Sequence, residues 1–238
     1  YNPYIYESTN KKLGPGTSTE FKVPEAGIAN SNQAQISISS LRNININHRL
    51  QWLIRYPYGC VEQVTSSAFP QLYLPEVIDF AARGDKDKIR EMDKNINAAL
   101  DKIKAYQLDS GGFSYWPTGR TVQYWATNYV GHFMLEAKEK GYYVNPEIFE
   151  NWLGYQRRAA RAHEGSYLTQ AYRLYLLALA GDPQLSSMNY LRESKLDNMN
   201  NAARHLLAAA YKLGNLSQVA QKIIDGSGIK VKEDDEYW

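Results

Sequence analysis

The only cysteine of the chain, Cys60, stands three residues before Gln63 in the string YPYGCVEQ. Residues i and i+3 lie on the same side of a helical turn, so the sulfur of Cys60 can approach the side-chain carboxamide carbon of Gln63. A thiolate that attacks this carbon expels ammonia and leaves an internal thioester, a stored electrophile that a lysine amine or a hydroxyl can open later. The spacing therefore permits acyl-transfer chemistry that needs no cofactor and no metal.

The same spacing has simpler interpretations. A C-x-x-Q string arises by chance, and a lone cysteine is most often a small buried hydrophobic residue. Glu62 lies elsewhere on the turn, where its charge favours a helix N-terminus or orients neighbouring groups. Spacing alone leaves the reactive and the inert interpretations open.

Aromatic residues cluster around this string. A thioester exposed to water hydrolyses, so the chemistry requires a dry, hydrophobic cover. Tyr56 and Tyr58 flank the cysteine, while Tyr115 and Trp116 belong to a second aromatic group in a glycine-containing loop. We predict that these four side chains shield the reactive pair.

Composition excludes several classes of function. The 238 residues include 27 basic and 25 acidic side chains with no dense Lys/Arg cluster, so nucleic-acid binding is not predicted. No apolar run approaches the roughly 20 residues of a membrane helix, so a membrane is expected to be reached only through an anchor outside this chain. One cysteine rules out an internal disulfide, and scattered histidines make a poor zinc site.

Two regions differ in their hydrophobic period. Residues 1–47 contain a Gly-Pro-Gly turn and alternating stretches at 35–39 and 43–46, which predict short β-strands from the preceding part of a larger protein. Residues 48–238 change to steps of three and four, beginning with Ile89, Met92 and Ile96, which is typical of amphipathic helices. Further helices are predicted over 122–140, 146–161, 166–180, 197–212 and 216–225.

The predicted helices form a loose internal repeat. Gly141, Gly181 and Gly214 close three of them at the spacing of a helical hairpin. The nearly continuous apolar stretches at 171–180 and 205–210 favour helices that are buried on all sides. We therefore predict a mainly α fold, an α/α toroid of alternating inner and outer helices, with an irregular helical solenoid as the alternative.

The string YPYGCVEQ, continued by VTSS and by a Phe-Pro pair, resembles the thioester site of bacterial alpha-2-macroglobulins, relatives of the complement C3 family. The loop GGFSYW at 111–116 and the stretch WATNYV at 125–130 are also similar to this family, and the resemblance covers about residues 25–225. It implies an α/α-toroid thioester domain, here an incomplete ring truncated at its C-terminus. It also implies that Cys60 and Gln63 are the bonded pair, with Gly59 and Glu62 as supporting residues of the motif.

The resemblance implies a role as well as a fold. Family members use the thioester to attach covalently to a protease that has cut a bait region elsewhere in the chain. The expected activity is broad-spectrum endopeptidase inhibition rather than enzyme catalysis, with protease lysine amines and other domains of the same chain as partners. Bacterial relatives are typically periplasmic and often lipid-anchored, so an extracytoplasmic location is expected.

One further residue follows from the resemblance. Complement C3 uses a histidine on a later loop to direct acyl transfer toward hydroxyl acceptors, and His163 is the candidate by position. Without a placed histidine, the expected acceptor is an amine.

Two rival functions stay open on sequence. An α/α-toroid enzyme could act on terpenoids or sugars, but terpenoid cyclases of this architecture use a D-x-D-D acid, whereas the chain has only E-D-D-E near its end. A carbohydrate lyase or hydrolase needs paired carboxylates in an aromatic groove, which sequence does not exclude. The other rival is a non-reactive interaction module.

Overall fold

The structure is a computed structural model, which describes residues 9, 11–20, 22, 28, 36, 50, 52–77 and 86–227. It divides into two compact units, Tyr1–Arg49 and Leu50–Trp238. In the first unit, the backbone N–H of Thr17 donates to the carbonyl oxygen of Gly14 at 3.2 Å and closes the predicted turn. The strands predicted over 35–39 and 43–46 lie outside the described residues, apart from Ile36, and stay a prediction.

The second unit is helical. Its described part contains nine α-helices, with short 3₁₀ turns at Phe69–Leu72, Lys104–Tyr106 and Leu196–Asn198. The helices are α1 (Val61–Ala68), α2 (Leu74–Val77), α3 (Lys86–Ile103), α4 (Tyr124–Glu139), α5 (Pro146–Arg161), α6 (Tyr167–Leu179), α7 (Leu185–Ser194), α8 (Asn201–Leu213) and α9 (Ser217–Asp225).

Side-chain caps define several of the helix starts. Asn145 precedes Pro146 and accepts hydrogen bonds from two backbone N–H groups of the first turn of α5. Ser166 caps α6 and Asn200 caps α8 in the same way. Short polar side chains satisfy N–H groups that have no partner within the helix, and proline at the first position loses no hydrogen bond.

The helices alternate between an inner and an outer set. Helix α1 packs on α4, α4 packs on α6, and α6 packs on α8, while α3, α5, α7 and α9 pack against members of this inner set. Helix α6 is buried over nearly its whole circumference, as an inner helix should be. The predicted α/α-toroid arrangement is confirmed.

Three features between residues 185 and 215 differ from the prediction. Helix α7 was not predicted, because its sequence LSSMNYLRES buries only Ser187, Met188 and Leu191 and gives a weak periodic signal. Helix α8 starts at Asn201 rather than at residue 197, since 196–198 form a separate 3₁₀ turn. At the end of α8, Asn215 rather than Gly214 takes the left-handed conformation, with φ of 63°.

A buried polar network joins α4, α5 and α6. Gln156 donates to Asn128 at 2.8 Å, Arg173 donates to Gln156 at 2.9 Å, and Asn128 donates to the carbonyl oxygen of Thr169 at 2.9 Å. Burial lowers the pKa of Arg173 below its ordinary value. Because each of these groups is desolvated, the network fixes how the three helices meet.

Helices α4 and α5 approach closely at Gly131. A Cβ atom at this position would lie 2.0 Å from the ring of Trp152, which is fully buried and donates from Nε1 to the carbonyl oxygen of Thr127 at 3.0 Å. We expect Gly131→Ala to lower the free energy of unfolding by about 1–3 kcal/mol through overpacking. Urea unfolding of the chain measures this change.

A second helical glycine provides the matched control. A Cβ atom at Gly154, on α5, meets only the side chain of Arg158 at an ordinary 3.5 Å. Gly154→Ala is expected to stabilise the chain by about 0.5–1 kcal/mol through helix propensity. Equal effects at the two glycines would contradict the close contact.

Candidate functional site

Cys60 and Gln63 meet at the first turn of α1. Cys60 is the N-cap residue, with extended backbone (φ −68°, ψ 167°), and Gln63 is the third helical residue, the arrangement of a capping box. The backbone N–H of Cys60 donates to Oε1 of Gln63 at 3.0 Å. The carboxamide is therefore folded back over the residue that carries the thiol.

Gly59 makes room for this arrangement. Its φ is +102°, in the region that residues with a Cβ rarely adopt. A Cβ atom at this position would lie 2.0 Å from Oε1 of Gln63 and 2.9 Å from Cδ. The glycine is thus required both by the backbone conformation and by the closeness of the carboxamide.

Three hydrogen bonds join later parts of the chain to the segment that leads into α1 and to the first residue of that helix. Lys102 Nζ donates to the carbonyl oxygen of Pro57 at 2.7 Å, and the Tyr106 hydroxyl donates to that of Gly59 at 2.7 Å. The N–H of Val61 donates to the carbonyl oxygen of Tyr115 at 3.0 Å. The position of Cys60 is therefore set by α3, by the 3₁₀ turn after it and by the glycine-containing loop at 111–116.

Sequence reasoning missed Lys102 and Tyr106. Each lies more than forty residues after the motif residue to which it is hydrogen-bonded, so no local spacing connects them to the motif. Burial, followed by the nearby Cys60, raises the pKa of Tyr106 above its ordinary value. The one available signal was the apolar stripe of α3, which indicated that the end of this helix faces the core.

Of the predicted shielding residues, Tyr56 and Tyr58 lie beside Gln63 and leave it open to solvent. The rings of Tyr56 and Tyr58 lie 4.5 Å apart, and Tyr58 is 71% exposed. With Gly59, Gln63, Arg55 and Ser67 they line an open depression of about 370 Å³. Gln63 itself is exposed and Cys60 is half-buried.

The loop between α3 and α4 is a packed plug. Phe113 is fully buried, its N–H donates to Oγ1 of Thr127 at 2.9 Å, and its carbonyl oxygen accepts from Gln123 at 2.8 Å. The side chains of Tyr115 and Trp116 are exposed. The loop reaches α1 through the backbone of Tyr115, so shielding by these two rings stays a prediction.

Glu62 and His163 lie in different parts of the structure: Glu62 is beside the pair on α1, whereas His163 packs against α7. Glu62 is in the first turn of α1 and half-buried, where its charge suits the helix N-terminus. His163 has a φ of 54° and packs its ring on Tyr190 of α7 at 4.1 Å, with Nδ1 buried and unbonded. No hydrogen bond between described residues joins His163 to Cys60 or Gln63.

His132 belongs to the packed interior rather than to this site. Its Nδ1 lies 2.8 Å from the hydroxyl of Tyr172, and its ring meets the edge of Phe69 at 5.2 Å. Burial lowers the pKa of His132 below 6.5, although Glu136 opposes the shift. In the ranges that the structure describes, no group of His, Cys, Asp and Glu side chains is placed to hold a metal ion.

Comparison with known proteins identifies the family. The family described as A-macroglobulin TED domain matches residues 33–182, well over half of the chain. The chain belongs to this family. The TED domain, or thioester domain, is thus the unit in which α1 and its first-turn pair lie.

Relatives of this TED domain are bacterial. Alpha-2-macroglobulin of Escherichia coli K12 is 25% identical over 245 aligned positions, which cover 95% of this chain and 15% of that protein. Alpha-2-macroglobulin of Xylella fastidiosa Temecula1 is 30% identical over 122 positions, covering 50% of this chain and 7% of the relative.

Solved structures share the fold of the TED domain. Native E. coli alpha-2-macroglobulin, from domain MG7 to the C-terminus, has a TM-score of 0.63 at 25% identity, covering 77% of this chain and 30% of that one. A Salmonella alpha-2-macroglobulin reacted with methylamine has a TM-score of 0.66 at 22% identity, covering 78% and 13%. The chain thus spans a small part of the relatives that it matches. Among the described residues, no helix is both long and apolar enough to cross a membrane.

Proposed function

We propose that Cys60 and Gln63 form an internal thioester that captures attacking proteases when the TED domain is part of its full-length protein. One observation carries the proposal: the Gln63 carboxamide is folded onto the N-cap residue Cys60, over a glycine whose Cβ would collide with it. Membership of the TED family supports the same pair.

The chemistry has two steps. The Cys60 thiol loses its proton and the resulting thiolate adds to Cδ of Gln63. The C–N bond then breaks, and the amide nitrogen takes up the proton that the thiol lost and leaves as ammonia. An incoming amine later adds to the same carbon, the C–S bond breaks, and the proton lost by the amine balances the released thiolate. The residue at 63 then carries the target through an amide bond.

The acceptor in this proposal is a lysine amine of the protease. His163 packs on Tyr190, and no hydrogen bond between described residues connects it to the pair, which gives hydroxyl transfer no support. Gly59 and Glu62 are proposed as supporting residues, the first by leaving space and the second by its charge at the helix start.

In this proposal, aromatic residues of the TED domain and other domains of the same chain together keep water away from the thioester. Tyr56 and Tyr58 line the depression beside Gln63, and Tyr115 and Trp116 lie on the adjoining loop. Because Gln63 is exposed in this domain, other domains of the same chain are proposed to complete the cover. Opening that cover would then expose the acyl group to an amine.

The proposed biological role is a broad-spectrum endopeptidase inhibitor rather than an enzyme. The matched relatives are bacterial alpha-2-macroglobulins, which supports this role and a periplasmic or otherwise extracytoplasmic location. The sugar-processing and inert-module alternatives gain no support from the described residues.

Intact mass and thiol titration test the proposal. Freshly prepared full-length protein should lack the mass of one ammonia and show no titratable Cys60 thiol. Methylamine should then add to residue 63 and release one thiol, as suggested by the methylamine reaction of the Salmonella relative. A titratable thiol and an unmodified Gln63 in unopened protein would remove the proposal and favour the inert module.

A further inference from the structure

Lys102 occupies an unusual position beside the site. It lies in the last turn of α3, and its ammonium group is 4.3 Å from the ring centroid of Tyr56 and 4.6 Å from that of Tyr58. The same ammonium donates to the carbonyl oxygen of Pro57 at 2.7 Å. Three successive residues of the motif therefore surround a single cation.

The two tyrosine rings of this group are positioned mainly by the cation. Tyr58 is 71% exposed and Tyr56 is 37% exposed, so packing alone constrains the two rings weakly. No salt bridge between described residues engages Lys102, so its charge is directed at the two ring faces and the carbonyl oxygen. Cation–π attraction and a charge-assisted hydrogen bond both favour this arrangement.

Pro57 and Gly59 connect the Lys102 cation to the reactive pair along the backbone. Fixing Pro57 fixes the start of the turn at Gly59, whose carbonyl oxygen is held by Tyr106. That turn determines where the Gln63 carboxamide can lie. The two rings that the cation holds also line the depression beside Gln63.

We propose that Lys102 is a positioning residue of the Cys60–Gln63 site, which holds Tyr56, Pro57 and Tyr58 over the acyl group and so slows its hydrolysis. This assignment rests on the proposed function. Lys102 takes no part in bond making, and its cation acts through the two rings and the carbonyl oxygen.

The test compares three lysine variants in the full-length protein. Thiol release in buffer without amine or protease measures the spontaneous hydrolysis of the thioester. Lys102→Met should hydrolyse about five-fold faster than wild type, and Lys102→Arg, which keeps the cation, should stay within about two-fold of it. Lys104→Met is the matched control, because Lys104 is exposed on the adjoining 3₁₀ turn, and it should leave the rate unchanged.

A double-mutant cycle separates positioning from a general structural effect. In a background of Tyr56→Leu with Tyr58→Leu, Lys102→Met should add less than about two-fold, because both ring contacts of the cation are gone and only its hydrogen bond to Pro57 is left to lose. Full additivity would overturn the assignment, as would failure of Lys102→Arg to restore the lifetime. Peptide mapping that found Gln63 joined to Lys102 would also overturn it, since the amine would then be an acceptor.

The same experiment distinguishes the two proposals. If wild-type protein never shows a masked thiol, the proposed function fails and the role of Lys102 fails with it. If wild type shows a masked thiol and Lys102→Met has the same lifetime, only the assignment of Lys102 is overturned.

Discussion

Replacing Gln63 by glutamate is expected to abolish amine coupling completely while leaving the fold intact. A thioester forms from the carboxamide because ammonia can leave, whereas a carboxylate is a poor electrophile and offers only oxide as its leaving group. Glutamate keeps an oxygen acceptor for the N–H of Cys60, which Oε1 of Gln63 accepts at 3.0 Å. Glu is also a favourable residue at this position of a capping box.

The matched control makes the same chemical change on another helix. Gln218 is exposed in the first turn of α9, so Gln218→Glu introduces the same charge without touching the site. Incorporation of labelled methylamine and titration of the Cys60 thiol should be normal in the control, while Gln63→Glu shows a free thiol from the outset. Wild-type coupling in Gln63→Glu would place the acyl group elsewhere.

Gly59→Ala is expected to have the second-largest effect, by preventing thioester formation. The new Cβ would lie 2.0 Å from Oε1 of Gln63 and 2.9 Å from Cδ, so the carboxamide has to move away from Cys60. The positive φ of +102° adds a backbone cost of about 1–3 kcal/mol. We expect a free thiol in fresh protein and a lower free energy of unfolding.

Gly141→Ala separates these two consequences. Gly141 has a φ of +85°, and a Cβ atom there meets nothing within 4 Å. It should lower the free energy of unfolding by a similar amount in urea while leaving the thiol masked. If Gly59→Ala retains a masked thiol to the same extent as Gly141→Ala, the proposed geometry of the pair is incorrect.

Sequence predicted much of the fold because its signals are local. The start of α5 follows from a capping asparagine and a proline, and α6 follows from Ser166 and a nearly continuous apolar stretch. Helix α7 was missed because its local signal is weak: only three of its residues are buried, so its hydrophobic periodicity is faint. The predicted fold class was therefore confirmed, and the errors in individual helices lie where the hydrophobic periodicity is weak.

At the candidate site, too, the contacts between sequence neighbours were predictable and those between distant residues were not. The proximity of Cys60 and Gln63 could be predicted from a spacing of three within one helical turn. The contributions of Lys102 and Tyr106 could not, because they depend on how the end of α3 lies against the motif in three dimensions. Contacts between residues distant in sequence leave no spacing to detect.

The burial of α1 has a mechanical consequence. Val61, Val64 and Ala68 are fully buried, and the backbone of Val61 is bonded to the plug loop. Under the proposed function, a molecule attached at Gln63 is joined to a helix that is fixed in the core, and the glutamine side chain is the flexible part of the link. The proposed link therefore restricts the orientations that a captured molecule can take relative to the helical unit.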